Sequence, residues 1–386
     1  MTKKLNVCFV TEDFYPSFIG GQGIYGKELV EHLAKDGIHV TALADRRPGR
    51  RDYWRNHANI TLIEMPFSGS SQLLAAFFEY CYFMFYCRKI YFDILHANQL
   101  SGLFFVLLRP KNIGAIIVSA HHTNYDMRRE TPVGIKKFLY LPLIALERFV
   151  YEHADGIITN SPDEAAALRS NFHLNHIPIT SVYPGLSLKP AQAREQVLAR
   201  ASLRQMLDVP LDAKVILYVG RLVARKKVDT FIDAVNNVSH KGAPVIGVIV
   251  GRGREKEQLK KLAGPSVYFC DYVADTRLYF LGADIFVTTS VAEGGFSYAV
   301  LEAAHFGLPL IVSQSVAGFP IVRPGVNGFV VHSNNHYEIA RAIEKILPSA
   351  AAMGRTSRKL ARKFTSRRAT LQTIAFYRSA LRKASM

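Results

Sequence analysis

The sequence predicts an α/β protein built on two parallel sheets, and three observations predict it. Short apolar runs alternate with helical patterns along the chain, the mark of strands joined by crossover helices. The runs are close to continuous in Val, Ile, Leu and Phe, as strands covered on both faces require. A polar, helix-rich stretch at about 187–212 interrupts the alternation once, after which it restarts. At 386 residues, 49% of them apolar, the chain is long enough for two domains with a core each.

In the first half, strands are expected at 5–11, 39–44, 60–64, 94–96, 115–120, 156–159 and 180–183. The first run is cut at once by Glu12 and Asp13, so it reads as a strand and not as a signal peptide. The second half restarts at 215–219 and continues at 245–250, 267–270, 285–289, 310–313 and 329–331. From about Lys359 the pattern is helical to the end. The halves read as two Rossmann-like domains with a cleft between them. Cys8, Cys81, Cys87 and Cys270 show neither metal spacing nor a disulfide framework, which points to a reducing cytoplasm.

Chemistry is expected at the strand ends. After the first strand, Gly20-Gly21-Gln22-Gly23 leads into a helix, and adjacent glycines let backbone approach a ligand closely. Gly21, Gly23 and Gly26 fit the dinucleotide spacing, but no acid cleanly ends the second strand region, so that fingerprint is not assigned. Another buried run ends in Ala120-His121-His122, and His96 closes the one before it. In the second half, Gly220-Arg221-Leu222 is followed by Lys226 and Lys227 ahead of an amphipathic helix. Arg supplies a two-pronged donor and Lys a compact charge, a common pairing around phosphates.

The most informative stretch runs from Ser290 to Pro309: an acidic, glycine-containing turn, then a helix starting near Phe296 and ending at Gly307. Helix-start N–H groups at Phe296 and Ser297 suit a diphosphate, and the carboxylates Glu293 and Glu302 suit sugar and ribose hydroxyls. An ordinary βα unit with solvated glutamates and a basic surface loop would show the same residues.

Together these segments resemble the retaining family 4 glycosyltransferases, whose fold is GT-B. The residues that carry the resemblance are Gly220-Arg221-Leu222, Lys226, Glu293-Gly294-Gly295-Phe296-Ser297, Glu302-Ala303, Gly307-Leu308-Pro309, Ala317 to Pro320 and Gly325 to Gly328. Three departures stand out. Glu293 and Glu302 have eight residues between them where the family has seven, with Gly295 as the extra one. Ile321 replaces an acid, and Lys227 replaces a glycine.

The resemblance implies an N-terminal acceptor domain at 1–186, a nucleotide-sugar domain at 187–364 and a last helix, 365–386, that crosses back onto the first domain. It implies Arg221, Lys226, Gly20 and Gly21 at the donor phosphates, and Glu302 at the ribose. Glu293 and His121 are implied at the reacting sugar, and His96 in a structural or acceptor-side role. No metal motif and no cofactor besides the nucleotide-diphosphate sugar are expected.

The acceptor is expected to be lipid-linked or of lipopolysaccharide type, met at the cytoplasmic face of the plasma membrane. A formal net charge of +17 favours an anionic partner, and anionic lipid fits it. Nucleic acid is not expected, because no nucleic-acid module is recognisable. Residues 73–87 are apolar nearly all round and end in Arg88-Lys89, which suits either a core helix or a membrane-dipping face with Phe77, Phe78, Phe83 and Phe85. The arginine-rich run 46–55, with Trp54, would add basic charge beside it. Two other readings are a GT-B binding protein that has lost turnover and a nucleotide-sugar epimerase.

Overall fold

The computed structural model describes residues 4–16, 20–66, 71–121, 123–130, 134–239 and 244–384. His122 and residues 17–19 of the first glycine loop lie outside these. Met1–Gly185 and Thr365–Met386 form one compact unit, and Leu186–Phe364 form a second.

The first unit holds a seven-stranded parallel sheet. Its strands are β1 (Asn6–Val10), β2 (His39–Asp45), β3 (Ile60–Met65), β4 (Phe92–Asn98), β5 (Ile113–Ala120), β6 (Gly156–Thr159) and β7 (Ile179–Ser181), in the order β3-β2-β1-β4-β5-β6-β7. The second unit holds β8 (Lys214–Val219), β9 (Val245–Val250), β10 (Val267–Cys270), β11 (Ile285–Thr288), β12 (Leu310–Ser313) and β13 (Gly328–Val331), in the order β10-β9-β8-β11-β12-β13. Every strand expected from the sequence is present. Each sheet reverses direction once, between β1 and β4 and between β8 and β11, and such a reversal opens a crevice at the carboxyl ends of the strands.

Side chains alternate across the first sheet because the strand period is two. On one face Cys8, Val10, Leu95, Ala97, Ile116 and Val118 meet three helices, α2 (Gln72–Tyr86), α3 (Leu103–Leu108) and α4 (Tyr140–His153), through Phe83, Phe105 and Val150. On the other face Phe9, His96 and Ser119 meet α1 (Gly21–Lys35) and the C-terminal helix. That helix spans Ser366–Ala384 and lies against α1, β4 and β5. Gly156 makes room for it: a Cβ there would come within 2.6 Å of the Phe376 ring.

Two expectations from the sequence are corrected. Phe83 does not join an exposed face, because it is fully buried in the core beneath α2, while Phe77 and Phe85 are exposed. Nor is the run 46–55 a free basic loop. Arg50 is fully buried, pairs with Asp45 and donates to the Phe14 carbonyl. Arg47 and Arg51 pair with Asp45 and Glu64 at 2.6 and 2.9 Å, and Trp54 stacks on Phe14 inside the unit. Among the described residues, no helix is long and apolar enough to cross a membrane.

Candidate functional site

Arg221 and Lys226 follow β8 and Glu293 follows β11, at the reversal of the second sheet, with Glu302 on the helix beyond; in the first unit Gly20 and Gly21 follow β1 and His121 follows β5. In the second unit β8 and β11 are hydrogen-bonded neighbours, so the basic loop after β8 and the acidic loop after β11 leave the sheet side by side. Backbone bonds then tie the loops together. The Val291 N–H donates to the Arg225 carbonyl at 2.9 Å, and Arg225 Nη1 donates to the Ala292 carbonyl at 2.7 Å. The Thr289 hydroxyl is shared between the carbonyls of Lys226 and Lys227, at 2.7 and 2.8 Å.

This register brings Lys226 Nζ onto Glu293 Oε1. Burial pushes the Lys226 ammonium below its ordinary range, against the pull of Glu293, and the charges of Arg225 and Arg221 lower it further. Burial also pushes the Glu293 carboxyl up, but Lys226 and then Arg225 outweigh that, so it stays below the usual carboxylate range. Three cations and one carboxylate therefore share this strand-end site. Arg225 was missed in the sequence, although an arginine directly before the motif lysine was the available signal.

Gly294 and Gly295 both take left-handed backbone, at φ 59° and 76°, which lets the acidic loop turn twice within two residues. The Gly295 N–H donates to the Ser315 carbonyl at 3.0 Å, and the Ser315 hydroxyl returns to the Ser290 carbonyl at 2.8 Å. The extra residue is thus bonded into the next strand's loop. One expectation changes here. The Phe296 N–H is taken by the Glu293 carbonyl at 3.2 Å, and its ring is buried against Phe319, so Phe296 anchors the loop.

Ser297 holds the N-cap position of α6 (Tyr298–Phe306) without a side-chain capping bond, and the first-turn N–H groups of that helix have no intrahelical carbonyl to reach. (The helix Val228–Ser239, which follows Lys227, is α5.) Glu302 lies half-buried on α6, where burial, helped by the charge of Asp275, pushes its carboxyl up to about 7. Ile321, which stands where the family has an acid, is fully buried in the core.

The sequence reading also passed over Gly251-Arg252-Gly253 after β9. A Cβ on Gly251 would sit 1.9 Å from the Gly220 carbonyl, and one on Gly253 would sit 2.0 Å from that of Leu222. These glycines let two strand-end loops lie backbone to backbone beneath Arg221. A glycine pair ending a buried run was the visible sign.

In the first unit, Gly20 caps α1 with φ 144°, and Gly21 opens the helix in helical conformation. Tyr25 of α1 sets its ring edge-on to His121, 4.7 Å between centroids. His121 follows β5, and its carbonyl accepts from the Gln99 side chain. Among the described residues, neither of its ring nitrogens has a well-formed hydrogen-bond partner, although the Asn160 side chain lies near. Burial lowers its pKa to about 4, against the opposing influence of Asn160, so the imidazole is neutral at physiological pH. His96 differs, since both its nitrogens are engaged, by Tyr377 and Ser119, and it is fully buried. That makes His96 structural. Among the described residues, no three His, Cys, Asp or Glu side chains come together as a metal site would need.

A model described as Glycosyltransferase Family 4 matches residues 19–189, and one described as Glycosyl transferases group 1 matches residues 213–349. The chain is 27% identical to a D-inositol 3-phosphate glycosyltransferase of Mycobacterium avium, covering 94% of this chain and 90% of that one. Its fold is similar to sucrose-phosphate synthase from Thermosynechococcus elongatus, with a TM-score of 0.79 and 21% identity over 97% of this chain and 99% of that one. It is also similar to Anabaena HepE in complex with UDP-glucose, with a TM-score of 0.74 and 16% identity over 97% and 100% of the two chains.

Proposed function

This chain belongs to the family 4 glycosyltransferases, and we propose that it moves a sugar from a nucleotide-diphosphate sugar to an acceptor hydroxyl with retained anomeric configuration. The observation that carries the donor assignment is the bonded pair of loops that gathers Arg221, Arg225, Lys226 and Glu293 beside the start of α6. In this reading the bond from the anomeric carbon to the diphosphate oxygen breaks, and its electrons go to the diphosphate. Arg221, Lys226 and the α6 helix start stabilise the charge that develops there, with no metal ion required. The acceptor oxygen forms the new bond on the same face, and its proton passes to the leaving phosphate oxygen. No covalent glycosyl-enzyme is invoked.

Glu302 holds the ribose and Glu293 a sugar hydroxyl. The acceptor we favour is lipid-linked or of lipopolysaccharide type, reached at the cytoplasmic face of a membrane. A chain of net charge +17 with exposed aromatic side chains on α2 supports that class. A relative named for D-inositol 3-phosphate favours a second reading, a small phosphorylated polyol.

The test of the donor site is calorimetry with free nucleoside diphosphates. Arg221→Ala and Lys226→Ala are each expected to weaken binding by roughly 1.5–3 kcal/mol, the size of a charge-assisted contact. Unchanged affinity in both variants would refute the assignment. Turnover with an intact donor and each acceptor class, read by mass spectrometry and anomeric NMR, separates a transferase from a binding protein and a retaining from an inverting one. Free epimerised nucleotide sugar would instead indicate an epimerase.

A further inference from the structure

We propose that the outward side of α2, with the end of α3, is a docking face for an anionic lipid bilayer. The reading rests on the lipid-acceptor proposal for its purpose, but it can stand or fall separately.

Surface helices normally turn apolar residues inward and charges outward, whereas α2 is apolar on both sides. Its single acid, Glu79, is fully buried and accepts from the Ser101 hydroxyl at 3.1 Å. Its outward stripe carries Leu74, 51% exposed, Phe77, 45%, and Phe85, 78%. The stripe does not end with the helix. Phe77 packs edge-on against Phe104 of α3, 5.5 Å between centroids, and α3 finishes in Leu108, 55% exposed. The two helices thus offer one apolar surface, and contiguous apolar surface of this kind marks an interaction site.

Charge decides the occupant. From Ser71 to Lys111 the sequence contains two acids, Glu79 and Asp93, and both are buried. Asp155, which lies beside the end of α3, is paired with Arg109 at 2.6 Å. Arg88, Lys89 and Lys111 are exposed around this surface. A symmetric contact with a second copy would bring the same basic rim against itself, which disfavours that occupant. Nucleic acid would meet phenylalanine and leucine where phosphate contacts need cations. An anionic bilayer satisfies both parts, since acyl chains receive the apolar stripe and headgroups the rim. The docking is shallow, with α2 held to its own core by Phe83 and Glu79.

The full chain would be floated with vesicles of phosphatidylcholine alone and of phosphatidylcholine with phosphatidylglycerol at roughly 7:3, over a salt series. Binding is expected to the anionic vesicles only and to fall as salt rises. Phe77→Ser with Phe85→Ser, and separately Arg88→Gln with Lys89→Gln and Lys111→Gln, should each lower it by roughly tenfold or more. Leu211→Ser, at a site 73% exposed in the second unit, should leave it unchanged. Circular dichroism confirms that each variant is folded. No binding at low salt overturns the proposal, as does equal binding by every variant. A dimer that the Phe77→Ser, Phe85→Ser variant dissolves, without vesicle binding, assigns the face to a second copy instead. Vesicle binding by an enzyme that glycosylates only water-soluble acceptors would keep the face and refute the lipid acceptor.

Discussion

Lys226 holds Glu293, so a diphosphate that takes the lysine competes with a carboxylate already there. The competition gives Glu293 opposite effects on two ligands. Glu293→Gln removes the competing charge and is expected to tighten a free nucleoside diphosphate by roughly 1–2 kcal/mol, while turnover of the intact donor falls because the sugar loses its acceptor group. Calorimetry beside steady-state kinetics reads both; weaker diphosphate binding would mean that the pair acts with the phosphate and not against it. Glu302 makes a pH-dependent case. Its carboxyl titrates at about 7 in the folded protein, above its ordinary value of 4.5, so between those limits the folded state holds the proton and stability falls as pH rises. Ribose hydroxyls donate best to the ionised form, so nucleotide affinity should rise roughly tenfold from about pH 6 to 8. Glu302→Gln should flatten that rise, and a slope that survives the substitution would place the titrating group elsewhere.

At the scale of elements, the substituted loop residue Lys227 has a measurable cost. It adopts φ 49° and ψ 46°, a left-handed conformation that disfavours a side chain, where the family has glycine. Its ammonium pairs with Asp229 at 3.0 Å, a half-exposed contact of small worth. Lys227→Gly should therefore stabilise the second unit by about 0.5–1 kcal/mol, after the greater unfolded-state freedom of glycine is set against the relieved strain. Differential scanning calorimetry would show a rise of about 1–3 °C, and a drop would mean that the ion pair outweighs the strain. The strands were legible because runs such as Val245–Val250 are apolar on both faces, and the motif loops because they follow such runs. Three features were not legible. A helix apolar all round, like α2, does not say which side it buries. An arginine run reads as surface, so the burial of Arg50 under Asp45 and Phe14 gave no sign. The Phe296 amide is engaged by a turn that two left-handed glycines create, and that geometry has no counterpart in spacing alone.

At the scale of the whole molecule, the path of the chain makes the two units unequal. The second is continuous, Leu186–Phe364, whereas the first needs Thr365–Met386 to complete it. The C-terminal helix is tied into that unit by polar contacts as well as by burial. The Ser366 hydroxyl donates to Glu28 Oε2 at 2.6 Å, and Tyr377, fully buried, meets His96 Nδ1. From His96 the contacts continue through Ser119 to the Tyr25 hydroxyl, 3.1 Å away, and Tyr25 borders His121. A fragment of residues 1–185 would leave the His96 nitrogen and the Glu28 carboxylate without these partners and expose the surface under Phe376. Such a fragment is expected to stay unfolded or molten by near-ultraviolet circular dichroism, and to fold when residues 365–386 are joined to it through a flexible linker. Tyr377→Phe in the full chain keeps the ring but strands a buried His96 nitrogen, so it should destabilise the first unit by roughly 1–3 kcal/mol. Residues 186–364 alone should fold and retain nucleoside diphosphate binding. A well-folded 1–185 fragment, or a Tyr377→Phe protein as stable as the parent, would show that the returning helix is an accessory to the first unit and not part of its core.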